Sequence, residues 1–174
     1  MLAKYEGFPG MIHGKALLEH NSPIKTLAKV VLRVISDLNK VVLETDAARF
    51  PVPPNCEIRF EWGVSYGDSF VYLDVEETAK AERFLEDMVP SVLDFYFVVL
   101  YHRITSSKRV PLKFDYGFLR VLIAENKMEM FASHEKGPMH FPIGELLSFL
   151  AERINKELVG SREGELHLKE IRAV

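Results

Sequence analysis

The chain has 174 residues, 48% of them hydrophobic with 12 Phe, and a formal net charge of −3. That is the size of a single domain, 1–174, with a substantial core. It has no apolar stretch near the ~20 residues that cross a bilayer, and its one cysteine, Cys56, excludes an internal disulfide and any multi-cysteine zinc site. Glu6, Pro9 and Gly10 interrupt the opening residues where a secretory signal would be apolar, so a cytoplasmic protein with no membrane partner is expected. The chain contains no glutamine. Thermolabile Asn, Gln and Cys are depleted in hyperthermophile proteins, which points to a thermophilic source.

Residues 10–20 read as a strand loosened by Gly14. Asn21-Ser22-Pro23 then opens a helix over 23–40, with Ser22 as cap and Pro23 at the first helical position. Ile24, Leu27, Ala28, Val31, Val34, Ile35 and Leu38 keep a 3.6-residue period. On the other side Lys25, Lys29, Arg33 and Lys40 fall within about 80° and form a basic stripe. The proline-rich run before Cys56 cannot continue a helix and reads as a surface connection. Ile58, Phe60, Trp62 and Val64 alternate with Glu57, Arg59 and Glu61 as a half-buried strand. Ser65 to Asp68 turns it into a partner strand at 70–75.

Glu76 and Glu77 place negative charge where a helix begins, and the pattern predicts one from about 77 to near Pro90. Residues 93–104, aromatic and β-branched, favour a strand buried on both faces, with a helix after Pro90 as the alternative. Strands at 116–125 and 127–133 form an antiparallel pair. A loop follows over 134–142, then a helix over 142–158 and a closing strand at 165–174. The fold class is α+β: a two-layer sandwich with a mostly antiparallel or mixed sheet and about three helices packed on one face.

Charge is unevenly spread. From Glu44 to Asp94 there are 12 Asp/Glu against 4 Lys/Arg, whereas 95–113 holds Arg103, Lys108, Arg109 and Lys113 with no acid. Opposed faces of this kind favour a homo-oligomer, in which the cationic face of one subunit meets the acidic middle of another. The same Arg103, Lys108, Arg109 and Lys113 would hold an anionic substrate. Together with Lys25, Lys29 and Arg33 they would neutralise the phosphates of RNA, with Tyr101 and Phe114 stacking bases.

The loop His134-Glu135…His140 gathers two imidazoles and a carboxylate beside Gly137 and Pro138. In an enzyme, His134 or His140 would act as general acid/base and Glu135 would orient or ligate. The histidine spacing matches no established zinc pattern, so no metal is assigned, and no cofactor is specified. His13, His20, His102 and His167 are scattered over predicted strands and their ends. The strand-to-helix turn at Asp74–Thr78 has three carboxylates and no glycine, which disfavours phosphate cradling. Cys56 reads as a small hydrophobe rather than a nucleophile. The leading expectation is therefore a binding or assembly module that self-associates. A small hydrolase or transferase and an RNA-binding protein are the alternatives.

Overall fold

The computed structural model describes residues 1–44 and 54–174. In chain order the elements are β1 (Gly14–His20), α1 (Ile24–Leu38), β2 (Val42–Glu44), β3 (Cys56–Ser65), β4 (Phe70–Tyr72), α2 (Val75–Asp87) and β5 (Val92–Ile104). They continue with β6 (Arg109–Pro111), β7 (Asp115–Ala124), β8 (Lys127–Lys136), α3 (Ile143–Gly160) and β9 (Leu166–Ala173). Seven strands lie side by side in the order β2-β3-β5-β7-β8-β1-β9, with every neighbouring pair antiparallel. β4 pairs with the end of β3, and β6 with the end of β5. The fold is the α+β arrangement the sequence predicts, with its helices on one face: α1 and α3 pack on the sheet and α2 packs against α1.

Residues 93–104 form a central strand, flanked by β3 and β7, rather than a helix. Alternation explains the choice: Leu93, Phe95, Phe97, Val99 and Tyr101 enter the core, while Tyr96, Val98, Leu100 and His102 stay half-buried on the opposite face. Phe60 of β3 stacks on Phe149 of α3 at 6.0 Å, and Trp62 packs against Phe97 at 5.4 Å. α1 lies between α2 and α3, which buries residues well around its circumference.

Several boundaries differ from the sequence reading. α1 begins at Ile24, so Pro23 takes the cap position; its carbonyl accepts from Leu27 N–H at 3.0 Å. Ser22 Oγ is buried without a hydrogen bond and does not cap. α2 starts earlier than expected because Asp74 accepts from Glu77 N–H at 2.8 Å and caps it. Residues 42–44 add a short strand to the sheet edge, and the cationic stretch folds back on β5 as β6. Pro51 and Pro53 of the expected rigid connection lie outside the described residues.

Two polar devices lock the layers. The Asn39 side chain, just past α1, accepts from Trp62 N–H at 2.7 Å and donates to the carbonyls of Trp62 and Leu73 at 3.1 and 3.0 Å. It bridges the helix end to β3 and the segment after β4 as a piece of backbone would. On the helix-free face, residues 1–10 run as a strap over the sheet. Tyr5 lies 4.7 Å from Phe70 and 5.5 Å from Phe118, and the Arg120 guanidinium stands 4.1 Å over the Phe8 ring.

Candidate functional site

The most concentrated polar chemistry lies where β5, β7 and β8 meet the loop that leads to α3. Asp115 opens β7 with its side chain 2% exposed. One carboxylate oxygen accepts from Met139 N–H at 2.6 Å and lies 2.9 Å from His134 Nε2; the other accepts from the buried Tyr101 hydroxyl. Tyr101 Oη in turn accepts from Phe141 N–H at 2.9 Å. Burial, and then the Asp115 carboxylate, push the Tyr101 phenol far above its ordinary value, so it stays protonated and donates. A carboxylate this deep is stable only because it is so fully hydrogen-bonded.

The backbone places these groups. A register irregularity between Tyr116 and Gly117, where β7 pairs with β8, re-aims the strand ends. Gly137 has φ +119°, and a Cβ there would overlap the Phe114 carbonyl and the Asp115 carboxylate. His13, just before β1, accepts from His134 N–H through Nδ1 at 3.0 Å, with the two rings edge-on at 6.4 Å. His134 Nδ1 has no hydrogen-bond partner among the described residues and is not sealed from solvent; the side chain is 11% exposed.

The expected trio does not converge. His134 turns to Asp115, Glu135 accepts from Ser133 Oγ at 2.7 Å, and His140 stands edge-on to the Tyr101 ring at 5.2 Å. Asp115, Tyr101 and His13 are the partners that sequence reasoning missed. An acid opening an apolar strand was the available signal for Asp115. Beside the network runs a groove of 420 Å³ lined by Lys113, Phe114, Lys136, Gly137 and Pro138, with Phe114 46% exposed.

The cations divide into two groups. Lys25 lies 3.8 Å from Glu86, Lys29 is paired with the same carboxylate, and Arg33 is paired with Glu82, so this stripe of α1 is engaged by α2. Arg109 Nε meets Glu57 at 2.8 Å. Among the described residues Arg103, Lys108 and Lys113 form no ion pair. Tyr101 is 1% exposed and cannot stack bases, which corrects that expectation; Phe114 is free to do so.

Of the remaining histidines His13 approaches the loop, and His102 lies half-buried on the helix-free face of β5 with Nδ1 buried and without a hydrogen bond. His20 is buried between the carbonyls of Ser22 and Ala124 at 3.1 and 2.8 Å, and His167 meets Glu165 at 3.1 Å. Cys56 is buried, and burial pushes its thiol up, which disfavours the thiolate a nucleophile needs. Among the described residues no group of three or more His, Cys, Asp or Glu is placed to hold a metal ion, and no helix is long and apolar enough to cross a membrane. No protein-family model, no curated protein and no solved structure matches the chain.

Proposed function

We propose that the protein is an intracellular binding and assembly module that self-associates. One observation carries this reading: the large sheet has helices on one face only, and the other face presents Tyr96, Val98, Leu100 and Tyr116 half-buried, with Tyr72 exposed. Apolar side chains of this size on a folded surface are most stable when a partner covers them. The polar network supports the same reading, because Asp115 and Tyr101 spend their hydrogen bonds on holding the loop to the sheet. Light scattering at two protein concentrations tests it. A mass near twice 19.9 kDa at the higher concentration is expected, and the monomer mass at both removes self-association. A thermophilic source belongs to the proposal, and a Tm inside the ~45–65 °C range of mesophilic domains would remove it.

A small hydrolase or transferase is the second reading, favoured by the Asp115–His134 contact. Asp115 orients the imidazole through Nε2 and leaves Nδ1 to serve as general base, while Lys113 and Lys136 line a groove suited to an anionic substrate. After an activity screen, His134→Ala should abolish turnover and His140→Ala should weaken it; an unchanged profile in both dismisses the site. RNA binding rests on Arg103, Lys108 and Lys113 beside exposed Phe114. It predicts an affinity that falls steeply with added salt.

A further inference from the structure

We infer that self-association proceeds by edge-to-edge antiparallel pairing of β9 with β9 of a second copy. This inference rests on the reading above only in that the protein self-associates. It places the seam at the sheet edge, so the half-buried apolar faces around Tyr96, Val98 and Leu100 of the two copies lie on the same side of one continuous sheet and are not themselves the seam. β9 ends the sheet. It pairs with β1 on one side and, among the described residues, has no strand on the other. Leu166 N–H donates to Asn155 Oδ1 of α3 at 2.8 Å, and beyond it, from Leu168 on, the outward backbone N–H and C=O groups are left open. The partner that satisfies such a row is another extended strand.

The segment Leu168-Lys169-Glu170-Ile171 specifies which strand. A two-fold axis between Lys169 and Glu170 sets Lys169 of each copy against Glu170 of the other, and Leu168 against Ile171. The register irregularity between β1 and β9 makes the faces agree. Leu168 and Ile171 pair with Leu18 and Ala16, whose side chains enter the core. Lys169 reaches Glu19 at 3.0 Å, and Glu170 pairs with Leu17 and binds Arg172, all on the helix-free face. In this register Lys169 and Glu170 share the helix-free face with opposite charge, Leu168 and Ile171 share the core face, and both contacts occur twice by symmetry. The outer pair sets His167 against Arg172, each beside a glutamate of its own chain, Glu165 and Glu170. A shift of one residue either way opposes Lys169 to Lys169 or Glu170 to Glu170 and mixes the faces. Leu168, 42% exposed, and half-buried Ile171 are the apolar pair the second copy would cover. A strand interface also extends the sheet without displacing the strap or the helices.

Sedimentation velocity on the full chain, with circular dichroism to check folding, tests the interface. Lys169→Glu opposes two pairs of like charges and should weaken the dimer on the order of tenfold in dissociation constant. The double exchange K169E/E170K should restore it. Amide exchange across 166–173 should slow as wild-type concentration rises, an arm that needs no substitution. A wild-type monomer at every concentration overturns both this interface and the self-association reading. A dimer that K169E does not weaken, or whose β9 amides exchange equally fast at all concentrations, overturns β9 pairing alone. A K169E defect that the double exchange fails to rescue, in a folded protein, overturns this register.

Discussion

Arg120 grips Asp94 across two central strands: Nε and Nη2 each donate to a separate carboxylate oxygen at 2.7 Å, and the Asp94 side chain is fully buried. Asp94 also accepts from Tyr5 N–H at 2.7 Å, and Arg120 donates to the Tyr5 carbonyl at 3.2 Å. The pair therefore holds the strap on the sheet as well as β7 against β5. Arg120→Ala would leave a buried carboxylate with one donor, a loss of about 3–5 kcal/mol. Urea unfolding measures the loss, and tryptic cleavage after Lys4 in the native state should accelerate. Unchanged cleavage would separate the strap from the ion pair.

Tyr101 makes the protein's stability depend on alkaline pH. Its phenol is raised by burial and by Asp115, so the folded chain keeps a proton that the unfolded chain releases from about pH 10 upward. This contribution is complete below that pH and is lost as pH rises toward the folded value. Tyr66, pushed up to about 12 by burial and its hydrogen bond to Glu77, adds to the slope. Y101F should lower stability by about 1–3 kcal/mol at pH 7, because Phe141 N–H loses its acceptor. It should also flatten the slope above pH 10 by one proton. Urea midpoints across pH 8–11 measure both effects.

Asn39→Ala removes three hydrogen bonds and orphans the buried Trp62 N–H. A loss of about 1–3 kcal/mol is expected in chemical denaturation. A neutral result would mean that the α1–β3 junction does not depend on this side chain.

Gly137→Ala forces a Cβ into the Phe114 carbonyl at a left-handed φ, with a strain of about 1–3 kcal/mol. The loop should lift from Asp115, and the Met139 and Phe141 amides should lose protection in hydrogen exchange while β3 and β5 keep theirs.

The α1–α2 ion pairs should matter far less. Lys25, Arg33 and Glu86 are roughly half exposed, and pairs of this kind contribute about 0–1 kcal/mol. Glu82→Ala with Glu86→Ala should move the unfolding midpoint little while freeing three cations. RNA affinity that rises in this double variant would favour the RNA reading, and affinity that stays undetectable would count against it.

Much of the architecture was legible because side-chain periodicity is a local property. Ile58, Phe60, Trp62 and Val64 alternate for one buried face, and the run from Ile24 to Leu38 repeats every 3.6 residues; each reads directly as its element. Phe95 to Leu100 was harder, since an apolar run shows no polar face, and its central place in the sheet follows only from having a strand on each side. The short strands β2 and β6 carried no signal of their own, because three residues pair only when a neighbouring strand offers them an edge.

The amino-acid order by itself determined the α+β class, the helix stripes and the hairpins, all set by contacts among residues close in the chain. Tertiary structure alone decided which charges meet: Lys29 goes to Glu86, Arg120 to Asp94, and His134 to Asp115 rather than to Glu135. These partners are 57, 26 and 19 residues apart. Hydrogen bonds and ion pairs act over a few ångströms, so pairings this distant in sequence exist only after the sheet has set its strand order and register.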